Sequence, residues 1–94
     1  MSAAESTGRL RLVSALHLEP EPDGGAHVVD SRTFATAHVN ASARVVLEAL
    51  RRPRTPQDLQ TILGEAAECP ASETAGPVAR LVAELRSYGW VEDA

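Results

Sequence analysis

Three histidines (His17, His27 and His38), one cysteine (Cys69) and scattered carboxylates are the side chains here with the chemistry to hold a metal or attack a substrate. All three histidines fall on segments that read as β-strands. They form no His-x-x-x-His pair, and no carboxylate cluster accompanies them to preset a metal geometry. Neighbouring strands would bring His17 or His27 near His38, but a histidine on a strand surface needs no further role. Cys69 stands between Glu68 and Pro70 in a loop. A reactive thiolate wants a cation or a helix N-terminus beside it, and the adjacent acid disfavours ionisation. As the only cysteine, it has no internal disulfide partner, and no Cys/His cluster for zinc surrounds it. No catalytic residue, metal or cofactor is expected.

The charged residues are no more specific. Glu19, Glu21 and Asp23 alternate with Pro20 and Pro22 and read as a solvated connection, or as a docking patch for a basic partner. Arg51, Arg52 and Arg54 would reach a phosphate, yet their place after a helix C-terminus accounts for at least two of them. Gly24-Gly25 is a turn signal without the phosphate-loop pattern. The formal net charge of −4 argues against a nucleic-acid binder that relies on a basic surface. No apolar run approaches the ~20 residues of a membrane span. The N-terminal residues lack the basic and apolar regions of a secretory signal, so a cytoplasmic location is expected. All nine basic residues are arginine, beside abundant alanine, as in proteins of GC-rich bacterial genomes.

The elements that would position these residues are clearer. Ninety-four residues allow one domain, and an aromatic content of 3% means a core of Leu, Val and Ala. Residues 1–9 read as a frayed tail and 10–94 as the domain. Leu10, Leu12, Leu16 and Leu18 alternate with polar residues as in one half-buried strand, ended by Glu19-Pro20-Glu21-Pro22. Ala26–Val29 makes a second strand and Thr33–Val39 a third. Such short turns leave no room for a crossover helix, so the three form an antiparallel meander. Three helices follow, each with an i, i+3, i+4, i+7 stripe: Ala43/Val46/Leu47/Leu50, Leu59/Ile62/Leu63/Ala66 and Val78/Leu81/Val82/Leu85. Asn40 caps the first, Thr55-Pro56-Gln57-Asp58 opens the second, and Gly64 weakens or ends it. Ser72 or Thr74 starts the third and Gly89 stops it, leaving Trp90 and Val91 to fold back onto the core. The expected class is α+β and winged-helix-like, in the order β-β-β-α-α-α.

The third strand stands out. Phe34-Ala35-Thr36-Ala37-His38-Val39 is last in the meander, and it lacks the charge or proline that usually blunts an exposed edge. With Val39 turned toward the helices, the period of two puts Ala37 and Ala35 on the same face. Two alanines leave a shallow apolar groove under an open edge, which is what an added peptide strand needs.

The sequence also resembles the PqqD family. Gly25 to Thr33 and Ala37-His38-Val39-Asn40 are similar to the family's strand pair and its terminal Leu-Asn, with Val39 in place of Leu. Ala41–Leu50, Thr55-Pro56-Gln57-Asp58-Leu59 and Val78 to Val91 resemble the helices that follow, and the likeness spans residues 15–91. Ala35 and Ala37 stand where bulkier residues are common. The resemblance implies a non-enzymatic RiPP recognition element. Such a domain binds the leader of a ribosomal precursor peptide as an added strand and presents it to a modifying enzyme or, in lasso-peptide pathways, to a leader peptidase. Carried over, the backbone of Phe34, Ala35, Thr36, Ala37 and His38 would pair with the leader, with Ala35 and Ala37 as floor. Arg80, Glu84, Ser87 and Tyr88 would form the far wall, with Leu81 and Leu85 at its base. Arg80 and Arg86 would pair acidic leader residues. No nucleic acid, membrane or cofactor is expected as a partner. The alternatives are a winged-helix DNA-binding protein, which shares three helices and a hairpin, and a small scaffold that dimerises through the third strand.

Overall fold

A computed structural model describes residues 8–94. Most of the tail expected over residues 1–9 therefore lies outside the described residues. Arg9 is tied at its backbone, where its carbonyl accepts the Ala94 N–H at 3.0 Å.

The chain is α+β, but its order departs from the expected β-β-β-α-α-α. The described residues form five strands: β1 (Leu10–Leu12), β2 (Leu16–Pro20), β3 (Ala26–Asp30), β4 (Ala35–Val39) and β5 (Val91–Asp93). The three helices α1 (Ala41–Ala49), α2 (Pro56–Ala67) and α3 (Ala75–Ser87) lie between β4 and β5. β2, β3 and β4 form the expected antiparallel meander, while β1 pairs with β5 in a separate two-stranded sheet. The expected single strand from Leu10 to Leu18 is broken because Leu10, Val13 and Leu16 are all buried. A spacing of three cannot keep one face of a period-two strand, so the chain turns at Val13, whose carbonyl accepts the Leu16 N–H at 3.2 Å. The amides of Leu12 and Val13 then donate to the carbonyls of Leu50 and Trp90. β5 is too short, and too polar at Glu92 and Asp93, to show alternation.

The helix boundaries follow from capping chemistry. Asn40 accepts the Ala43 N–H at 2.9 Å, and Thr55 and Asp58 form a reciprocal capping box with Pro56 behind the cap. Gly64 does not end α2, which runs on to Ala67. Its bareness serves packing instead, since a Cβ there would stand 2.8 Å from the Cys69 carbonyl oxygen where the chain returns. A 3-10 turn over Ala71–Thr74 precedes α3. Thr74 is buried, and its hydroxyl shares its one proton between the carbonyls of Gln60 and Ala71 rather than capping α3, which fastens the start of α3 to α2.

Val28 of the sheet and Val46, Leu47, Leu50, Leu59, Val78 and Leu85 of the helices are the largest fully buried side chains. Each contributes about 1.5–3 kcal/mol by burial. Trp90 and Val91 fold back into this core as expected, because Gly89 takes φ +78 after α3 and redirects the chain. β3 is sandwiched between β2 and β4. Among the described residues β4 pairs with no second strand, so one of its edges is unpaired there.

Candidate functional site

Which atoms β4 offers at that edge follows from the hairpin register. The Ser31 N–H donates to Ala15 and the Glu21 N–H to Gly25, so the odd-numbered residues of β3 turn their backbone groups toward β2. Antiparallel pairing alternates, which leaves Ala26, Val28 and Asp30 to bond β4. Their partners are Val39, Ala37 and Ala35. Thr36 and His38 therefore present their N–H and C=O groups outward, unpaired with any strand among the described residues. The side chains of Ala35, Ala37 and Val39 share the inner face with buried Val28, whereas those of Thr36 and His38 lie on the outer face.

Between that inner face and α3 runs a cleft of about 590 Å³. Ala35, Ala37 and Val39 line its β4 side, and Leu81, Glu84, Leu85 and Tyr88 line its α3 side. Trp90 and Ala43 complete the apolar surface, and Asp30, Thr33, Asn40 and the edge of His38 supply its polar rim. The size is that of a small-ligand or side-chain pocket. Small side chains keep it open: three bulky residues in place of Ala35, Ala37 and Ala43 would fill it.

Polar side-chain contacts hold its ends. At the hairpin end Asp30 is buried and accepts from Arg32 twice, from Nε at 3.0 Å and Nη2 at 2.8 Å. The Arg32 guanidinium, through its hydrogen bonds, holds the Asp30 carboxyl below the ordinary aspartate range, and the Arg32 backbone N–H adds to this. Arg32 Nη2 also donates to the Gly89 carbonyl at 2.9 Å, pinning the β3–β4 turn to the end of α3. On α3, Tyr88 Oη donates to Glu84 Oε2 at 3.1 Å, which raises the Tyr88 pKa, and the Tyr88 ring rests 4.8 Å from that of Trp90. At the opposite end His38 Nε2 lies 3.0 Å from Asp23 Oδ2. Gly25 lies flat against β4 there, where a Cβ would overlap the Val39 carbonyl oxygen.

Of the residues expected at a binding site, Ala35, Ala37, His38, Leu81, Glu84, Leu85 and Tyr88 come together at this cleft. Four do not. Phe34 is not in the strand: it sits in the β3–β4 turn at φ +61, its N–H donating to Asp30, and is 81% exposed. Its backbone is therefore unavailable for edge pairing, and the strand starts at Ala35 rather than Thr33. Thr36 contributes backbone only. Ser87 turns its hydroxyl back to the Glu84 carbonyl at 2.6 Å. Arg80 lies in an adjoining recess, and Arg86 is held by Asp93 at 3.0 Å. Sequence reasoning missed Asp30, Thr33, Val39, Asn40, Ala43 and Trp90 as lining. The Asp30–Arg32 spacing across a turn was the one available signal, since such a pair folds back on itself.

His27 lies directly opposite His38, while His17 is opposite Val29. Among the described residues no group of three or more His, Cys, Asp or Glu side chains is placed to hold a metal ion. No described helix is long and apolar enough to cross a membrane.

Comparison with known proteins gives a fold likeness. No protein-family model matches the sequence, and no curated protein matches it. Among solved structures, the chain is similar to a lasso peptide synthetase B1 complexed with the leader peptide. The TM-score is 0.70 at 20% identity, over 88% of this chain and 96% of that one. At that identity the likeness carries the fold: this small α+β domain shares the architecture of the lasso peptide synthetase B1 chain.

Proposed function

We propose that this chain is a non-catalytic RiPP recognition element. It binds the leader of a ribosomal precursor peptide as a further strand on β4, with side chains in the cleft against α3, and presents it in the cytoplasm to a modifying enzyme or leader peptidase. One observation carries the reading: the outward backbone groups of Thr36 and His38 run along the rim of an apolar cleft. Main-chain bonds to the edge supply register, and the cleft supplies choice of side chain. The fold likeness to a leader-bound lasso peptide synthetase B1 supports this reading, as does the resemblance to the PqqD family, and together they favour a lasso-type pathway. A winged-helix DNA reader would need free basic side chains along one helix. Here α3 offers Arg80 and Arg86, of which Arg86 is paired with Asp93.

The test is a fluorescence anisotropy titration with synthetic leader segments from short reading frames adjoining the gene. A leader binds the wild-type protein, and Ala37→Glu, which puts a carboxylate on the cleft floor, weakens it at least about tenfold, or 1.4 kcal/mol. Unchanged affinity for a folded Ala37→Glu variant removes the cleft from the site. Concentration-dependent mass without peptide points instead to a second copy on the same edge.

A further inference from the structure

The β3–β4 turn presents an aromatic ring that the fold does not use. Phe34 and Tyr88 are the exposed large hydrophobic side chains among the described residues, Phe34 at 81%. Thr33 and Ala35, on either side of Phe34, line the cleft, as does Tyr88, but Phe34 itself does not. Its φ of +61 is a conformation that glycine or asparagine adopts at less cost. A phenyl ring there strains the backbone and gains no burial. The turn that carries it is nevertheless held firmly. The Thr33 and Phe34 amides donate to the Asp30 carbonyl at 3.2 and 2.7 Å, and the Ala35 N–H donates to Thr33 Oγ1 at 3.1 Å. Arg32 ties the same turn to the Gly89 carbonyl at the end of α3. Backbone strain of this kind clusters at sites of recognition and catalysis. A ring on so firm a base is pre-organised, as aromatic anchors at protein interfaces are.

The direction of the bound peptide identifies what meets that ring. Every strand pair of the described residues is antiparallel, and antiparallel pairing is the more stable form per residue. A peptide added to β4 in that sense enters beside Val39 and leaves beside Ala35, next to Phe34. A leader precedes the segment to be processed, so that segment emerges at this mouth of the cleft. We infer that Phe34 anchors the enzyme that acts on the emerging segment, its ring entering an apolar socket of that enzyme beside the departing peptide. The inference rests on the strand-addition reading above and adds to it the face on which the enzyme docks. An apolar socket fits because the charges of the turn already satisfy one another, Arg32 on Asp30. The anchor is continuous with the peptide's own surface, so both partners meet at one end of the domain. That juxtaposition raises the effective concentration of the segment at the enzyme.

The experiment compares the wild-type protein with Phe34→Asn, Phe34→Leu and Thr36→Pro, using the precursor peptide and the enzyme encoded by reading frames adjoining the gene. Anisotropy titration reads leader affinity, and interferometry on the immobilised domain–leader complex reads enzyme docking. Phe34→Asn suits the positive φ, so it folds as well as the wild type. It binds the leader within about twofold of the wild type and loses at least about tenfold in affinity for the enzyme. Phe34→Leu, apolar again, recovers part of that loss. Enzyme docking that is absent, or unchanged by Phe34→Asn, while Thr36→Pro still weakens the leader, overturns the role of Phe34 and leaves strand addition standing. Loss of leader affinity in Phe34→Asn assigns the ring to the peptide and overturns the inference. So does a concentration-dependent mass that Phe34→Asn abolishes, which assigns the ring to a second copy. Leader binding that is absent, or indifferent to Thr36→Pro, overturns strand addition and this inference with it.

Discussion

Replacing Thr36 by proline separates the edge of β4 from its fold. The Thr36 N–H points away from β3, whereas those of Ala37 and Val39 belong to the side that pairs with it. Proline is tolerated in edge strands when the missing N–H faces outward, and the preceding Ala35 is already extended, as proline demands. Thr36 itself is exposed, so little packing is lost. Stability should change by no more than about 1 kcal/mol. Binding should change far more. A peptide paired with Thr36 and His38 engages two N–H and two C=O groups, each bond contributing a net of about 0.5–1.5 kcal/mol. Thr36→Pro deletes one donor, and its ring Cδ occupies the place of the peptide carbonyl, so the neighbouring bonds loosen as well. The expected loss is at least about tenfold in affinity, equivalent to 1.4 kcal/mol. Ala37→Pro is the contrasting variant, because its N–H lies on the side bonded to Val28 and its loss weakens the sheet itself. Anisotropy titration with a bound leader peptide reads affinity, and urea unfolding reads stability. A folded Thr36→Pro protein that binds with wild-type affinity refutes the reasoning.

Two further expectations concern the frame around the cleft. Gly25→Ala forces a Cβ into the Val39 carbonyl and should destabilise the domain by about 1–3 kcal/mol in urea unfolding, as overpacking does; an unchanged midpoint would mean that β3 and β4 separate at no cost. Arg32 depresses the Asp30 pKa in the folded state, so the pair stabilises the fold above the ordinary aspartate range and loses that stabilisation as the pH falls through the folded value. The acid limb of wild-type stability should accordingly be steeper than that of Asp30→Asn, and parallel limbs would show that Asp30 gains nothing from Arg32.

The parts of this architecture that were legible from sequence are those fixed by local chemistry. Asn40 and Thr55 announce helix starts because their side chains satisfy amides within the same turn. The alternation that places Ala35, Ala37 and Val39 on one face follows from strand geometry alone. The illegible parts depend on contacts between distant segments. β1 and β5 are short, and each is defined by the other, from opposite ends of the chain. The positive φ of Phe34 has no signature in a residue that normally avoids that region, and only the turn's two amide bonds to the Asp30 carbonyl account for it. Arg80 and Arg86 look equivalent on α3 in sequence. They differ because Asp93, brought round by β5, claims Arg86, whereas Arg80 lines a recess beside Glu84. The membership of Trp90 and Ala43 in the cleft likewise required the helices to be in place.

Residue-resolved amide hydrogen exchange of the protein, with and without a bound leader peptide and with duplex DNA as control, tests the central claim most directly. The Thr36 and His38 amides, which face outward, should exchange fast in the free protein and slow sharply with peptide but not with DNA. Ala37 and Val39, already bonded to β3, should be protected in both states. Thr36 and His38 amides that stay fast in a saturated complex, or protection that appears only with DNA, would contradict the strand-addition account.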